Sequence, residues 1–184
     1  MPGEIEHREM ILPNILSAVT ENEAYALADL ARGKTVLEMG AWEGFSTVVL
    51  ASVADHVTSV DWHQGDDHAG QADTWTSFIE NIVRYQVADR IEVIRERFEA
   101  ALPQLAADGR QFDGCFLDAQ HDYESVSRDI GLALPVLKPG AFFAFHDYGR
   151  CEATGHPGFA VTEAADQLVG IEGRTGFLGW GFVK

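Results

Sequence analysis

Residues able to do chemistry recur at one kind of place in this sequence, the ends of its short apolar runs. The first is Glu38-Met-Gly-Ala-Trp-Glu-Gly-Phe-Ser46, of the form Glu-x-Gly-x-x-x-Gly-x-Ser. Gly40 and Gly44 let a chain turn sharply from strand to helix and let a ligand approach the backbone. Amides of a helix opening near Gly44 would point at that ligand and favour a carboxylate, with the Ser46 hydroxyl as a further donor. Asp61 ends the next run, Val57-Thr-Ser-Val, and a carboxylate there can accept from both hydroxyls of a ribose. Asp118, His121 and Asp122 follow Phe112 to Leu117, while His146, Asp147 and Tyr148 follow Ala141 to Phe145. Core packing alone would not demand an acid or an imidazole at each of these positions.

The cofactor implied by the loop is adenosine-like but not a dinucleotide. Trp42 stands where Gly-x-Gly-x-x-Gly would need its second close glycine. Glu38 suits an amine-bearing cofactor better than a pyrophosphate. No Gly-Lys-Ser/Thr follows, so a P-loop is absent.

These residues need elements to hold them, and the apolar pattern supplies an alternating series. Leu16, Val19, Ala26, Leu27 and Leu30 predict a helix over about 14–31, stopped at Gly33. Strands are expected at 35–39, 57–61, 91–94, 112–118 and 141–145, with helices at 46–53, around Phe78, Ile82 and Tyr85, at 99–107, from Tyr123 to Leu137, and at 161–169. Two last strands, about 171–175 and 177–183, have little more than Gly176 between them. That is too short for a crossover and predicts an antiparallel hairpin. The expected architecture is therefore α/β: a doubly wound, mainly parallel, seven-stranded sheet with a C-terminal antiparallel strand. In such sheets ligands bind beyond the carboxyl ends of the strands, which is where the polar residues fall.

At 184 residues, 46% of them hydrophobic and 23% charged, the chain is expected to form a single domain over 1–184. It would comprise an N-terminal helical segment, 1–33, and a core, 34–184. Thirteen basic against 29 acidic residues give a net charge of −16, and no Lys/Arg cluster is present. This argues against nucleic acid and anionic membrane as partners. Cys115, in an apolar run, and Cys151 have no metal-like spacing, and Cys115 is expected to be a buried thiol. With no signal-peptide pattern or membrane-length apolar run, the expected location is cytoplasmic. No motif decides whether a homodimer forms.

The stretch Val36-Leu-Glu-Met-Gly-Ala-Trp-Glu-Gly-Phe-Ser-Thr47 resembles the cofactor motif of class I methyltransferases that use S-adenosylmethionine. Phe116-Leu-Asp-Ala-Gln-His-Asp-Tyr123 and Phe143-Ala-Phe-His-Asp147 resemble later motifs of two branches, the catechol-O-methyltransferase-like enzymes and the small bacterial methyltransferases of sugars and natural products. The likeness runs over roughly 14–183 and implies a Rossmann-like fold. By it, Glu38 would lie near the methionine amino group, and Gly40, Trp42, Gly44 and Ser46 around the methionine end. Asp61 would bind the ribose, and Trp62 would lie beside the adenine. The place after the third strand that meets the adenine edge reads Glu96-Arg97-Phe98 here; Phe98 either flanks the ring or belongs to the core. Asp118 would serve the cofactor or cap a helix.

The catechol-like branch also implies a divalent-metal set at Asp118, His146 and Asp147, suited to magnesium except for the imidazole, which favours softer metals. His121 stands where that branch carries a catalytic lysine and is the expected general base, with His146 as a second catalytic candidate. Alternatively His121 caps the helix that starts at Tyr123. Tyr123 reads as core, and the Trp62–Trp75 loop with His63 and His68 as a solvated lid. The implied reaction is methyl transfer to an oxygen of a small molecule. A noncatalytic module binding the same cofactor, and more distantly a nicotinamide-dependent oxidoreductase, share parts of the pattern.

Overall fold

The computed structural model describes residues 8–65, 72–155 and 159–184. Four strands carry the apolar runs into a parallel sheet: β1 (Thr35–Met39), β2 (His56–Val60), β3 (Ile91–Ile94) and β4 (Phe112–Leu117). β5 (Leu137–Phe145) continues it beside β4. β6 (Gly173–Thr175) and β7 (Leu178–Phe182) form the expected hairpin, and β7 pairs antiparallel to β5. The order β3-β2-β1-β4-β5-β7-β6 reverses direction between β1 and β4, the crevice that binds ligands in such sheets. Seven strands, one of them reversed, match the sequence expectation.

Helices cover both faces. α1 (Glu21–Ala31), α2 (Phe45–Val53) and α3 (Trp75–Arg84) pack on one side around Leu27, Val48, Leu50 and Phe78; α4 (Phe98–Ala107), α5 (Tyr123–Ala133) and α7 (Val161–Leu168) pack on the other around Leu102, Phe112, Ile130 and Phe143. Cys115 is fully buried in the second layer, and burial pushes its thiol well above the ordinary value. No helix among the described residues is long and apolar enough to cross a membrane.

Three elements differ from the sequence expectation. α1 starts at Glu21, not near 14, because Thr20 and Glu23 form a capping box that ends the helix there. Its buried face is Ala24, Leu27, Ala28 and Ala31, and Leu16, expected on that face, is 74% exposed. The helix from Tyr123 stops at Ala133, and a 3-10 turn leads straight into β5, whose first residue pairs Leu137 with Phe112 ahead of a register shift. A five-residue helix, α6 (Arg150–Thr154), lies between left-handed glycines at 149 and 155. Tyr123 is not core: it is half-exposed and its hydroxyl donates to Gln167.

Candidate functional site

The parallel ladders run one residue past the strands. Gly40 N–H donates to Val60, Asp61 to Ile94, Asp118 to Met39 and His146 to Leu117. These bonds set the chemical residues in a row along the carboxyl edge. A cavity of about 860 Å³ lies over that row, within the range of small-ligand pockets. It runs from Trp62 and Arg97 at the β2–β3 end, past Gly40 and Asp118, to His121 and Phe159 at the β5 end.

The glycine loop is built as expected, but for a partly different reason. Gly40 has φ +93°, and a Cβ there would strike the backbone carbonyl of Asp118. Glycine is thus required by the close approach of β1 and β4 as much as by any ligand. Gly44, at φ +92°, is the N-cap of α2, and no side chain among the described residues bonds the first-turn amides. Asp61 anchors this loop: one carboxylate oxygen accepts from Ala41 and Trp42 N–H at 2.7 and 2.9 Å, the other from His63 N–H at 2.7 Å. Trp42 stands at the cavity wall in a left-handed conformation, φ 47°.

Glu38 departs from expectation. Its side chain is fully buried behind the loop, where Ser46, Thr47 and Ser59 hydroxyls donate to its two oxygens at 2.6–2.7 Å. Both of its oxygens therefore face these hydroxyls, and the Ser46 proton is already used on Glu38. Burial raises the carboxyl to about 7, against the three donors. The unfolded chain keeps an ordinary glutamate near 4.5. Between these values the folded state holds the extra proton, so Glu38's contribution to stability falls as pH rises, by roughly 2–3 kcal/mol. Glu38→Gln is expected to remove that slope. Urea unfolding of both proteins at pH 5 and pH 8 checks it, and equal slopes would contradict it.

At the β2–β3 end, the Arg97 guanidinium lies 4.2 Å from the Trp62 ring centroid, so one face of Trp62 is already covered. Phe98 packs against the second core layer and also lines the cavity. His63 is not part of a solvated lid. It is buried, its Nδ1 is 2.9 Å from the Thr74 hydroxyl, and its ring packs on Phe78 and Trp75. His68 and its neighbours lie outside the described residues.

The acid and imidazole groups gather at the β4–β5 end. His121 Nε2 is 2.7 Å from Asp147 Oδ2. The capping role falls instead to Asp122, which accepts from Ser125 N–H at 2.9 Å. Donor atoms of Asp118, His121 and Asp147 lie within 4.8 Å of one another. Of the three residues expected to hold a metal, Asp118 and Asp147 are in this group, together with His121. His146 stands behind it, with only 2% of its surface exposed. Its Nδ1 is 3.5 Å from Asp118 and 3.4 Å from Asp147, and its Nε2 is 3.6 Å from Glu23. Burial would lower this imidazole, but Asp118, Asp147 and Glu23 outweigh burial and push it up to about 12. Its two ring nitrogens thus face carboxylates on opposite sides. Asp147 itself is driven well below the carboxylate range: its burial is outweighed by His121 and His146.

Sequence reasoning missed Glu23, Asp129 and Arg150. The Thr20-Glu-Asn-Glu23 pattern is a readable capping box, but nothing in it points to His146. Asp129 is buried at the cavity wall, raised to about 6 by burial against the pull of Arg128, whose Nε is 3.0 Å away. Arg150 pairs with Asp147 and lies over the Phe177 ring at 4.6 Å.

Comparisons with known proteins bear on the family and the fold. A family profile described as "Methyltransferase domain" matches residues 37–148. No curated protein matches the chain. Among solved structures, cofactor-bound Rv0187 from MTB is 28% identical, with a TM-score of 0.66 over 92% of this chain and 81% of that one. An O-methyltransferase from Bacillus cereus in complex with SAH is 21% identical, with a TM-score of 0.68 over 94% and 84%. TomG, an O-methyltransferase of tomaymycin synthesis from Streptomyces achromogenes in complex with SAM, is 21% identical, with a TM-score of 0.65 over 92% and 82%.

Proposed function

From the premise that this chain belongs to the methyltransferase-domain family, we propose that it transfers a methyl group from S-adenosylmethionine to an oxygen of a small molecule. The observation that carries this reading is the His121–Asp147 pair standing in the same cavity as the Gly40–Asp61 loop. The cofactors named for two similar folds, SAH and SAM, support the choice of ligand. Bound there, S-adenosylmethionine supplies an electrophilic methyl group and a neutral thioether as leaving group. Amides opening α2 would hold its carboxylate, and the lone pair that Asp61 keeps beyond its three N–H partners would take a ribose hydroxyl. The unbonded face of Trp62 and the side chain of Phe98 would flank the adenine.

At the other end, His121 accepts the proton of the acceptor hydroxyl as oxygen attacks the methyl carbon, and Asp147 orients the ring and stabilises its charged form. Holding donor and acceptor in line supplies much of the acceleration. A second reading rests on the ligand cluster: Asp118, Asp147 and His121 would hold a divalent cation, which would polarise the acceptor oxygen. His121 is then a ligand and not the base. Incubating the chain with S-adenosylmethionine and a panel of phenols, catechols and sugars, with and without EDTA, tests both. S-adenosylhomocysteine formed from a hydroxyl acceptor is the expected product, and the EDTA arm selects between base and metal. Turnover confined to nitrogen or thiol acceptors would overturn the oxygen assignment.

A further inference from the structure

Glu23 sits in the first turn of α1, yet none of its surface is exposed. A capping-box glutamate needs only one backbone partner. This one has more: Thr20 N–H donates to Oε2 at 2.6 Å, and Phe177 N–H, in the β6–β7 turn, donates to Oε1 at 2.5 Å. Gly176 leaves it room, because a Cβ there would meet the carboxylate. Capping and turn-holding do not explain why a full charge is buried, since an unpaired buried charge is strongly disfavoured. The partner is His146, whose Nε2 lies 3.6 Å from Oε2 while its Nδ1 faces Asp118 and Asp147. The imidazole therefore lies between a carboxylate behind the site and two carboxylates within it.

We propose that Glu23 is a positioning residue of the methyl-transfer site: its carboxylate fixes the His146 ring, and the ring holds Asp118 and Asp147 in place. This rests on the reading that Asp118, His121 and Asp147 form the reacting end. It makes the first turn of α1 and the β6–β7 turn, which meets the chain just past β5 at Tyr148, supports of that end.

The test uses the full chain labelled with [15N]histidine. His146 is expected to show an Nε2–H proton protected from exchange with water, assigned by its loss in His146→Gln. Glu23→Gln is expected to shift that proton, and Thr20→Ala, which removes the cap hydroxyl but keeps the Thr20 and Phe177 N–H donors on the carboxylate, to leave it in place. In turnover, Glu23→Gln is expected to lower kcat about tenfold while KM for S-adenosylmethionine stays within about twofold. A His146 ring proton that exchanges freely in the unmodified chain, or one unmoved in Glu23→Gln, overturns the proposal. So do equal kcat losses in the Glu23 and Thr20 variants, the pattern of capping alone. The ring proton is read without turnover, so its result stands apart from failure of the methyl-transfer reading, which would appear as absence of S-adenosylhomocysteine formation in the unmodified chain.

Discussion

Gly40→Ala is expected to lower the melting temperature by roughly 6–12 °C and to weaken S-adenosylhomocysteine binding by about tenfold or more. Gly40 holds φ +93°, and its added methyl would be driven into the carbonyl of Asp118. Backbone strain and overpacking each cost about 1–3 kcal/mol. The atom it meets is backbone held at the edge of the sheet by the Asp118 N–H bond to Met39, so no side-chain rotation can relieve the clash. β1 and β4 must separate, and the loop pinned by Asp61 moves with them. Gly109→Ala is the control. It too has a positive φ, +70°, but nothing lies within 4 Å of its Cβ. It should show the strain alone, about 1 kcal/mol, with ligand affinity unchanged. Equal melting shifts in the two variants would contradict the close-approach argument. Scanning calorimetry and titration of the ligand measure both quantities.

The second large effect is at His121. His121→Ala is expected to lower kcat by roughly 10²–10⁴-fold, the usual contribution of a positioned base, with S-adenosylhomocysteine affinity nearly unchanged. Asp147→Asn should follow the same direction, because it removes the carboxylate that orients the ring at 2.7 Å. Loss of cofactor affinity in His121→Ala would place the residue at the wrong end of the cavity. Undiminished turnover would remove it from the chemistry. Undiminished turnover in EDTA as well would remove the metal and leave methyl transfer to be explained by orientation alone.

How much of this was legible depended on whether the cause was local. β1 and β3 were bounded correctly from apolar runs closed by glycine or polar residues, and the hairpin followed from the short gap at Gly176. The start of α1 was misplaced because apolar spacing in 14–19 imitates a helix face, whereas the Thr20–Glu23 box decides the boundary. α6 is a single turn between two glycines, too short to carry a period.

In the site, the row of strand-end residues was legible because ladder geometry fixes it. The partners of those residues were not. Glu38 is claimed by hydroxyls from α2 and β2, and His146 by a carboxylate on α1. Both pairings depend on packing across the sheet, which leaves no spacing in the chain. That His121 joins Asp118 and Asp147 has the same origin. His121 and His146 both lie beyond strand ends and line the cavity, and His146 is tied to the sheet by its N–H bond to Leu117.

The most direct test of the account is isothermal titration of the full chain with S-adenosylmethionine, S-adenosylhomocysteine and NAD. The site predicts saturable binding of the first two, weakened about tenfold or more in Gly40→Ala, and no binding of NAD. Binding of NAD alone would contradict it.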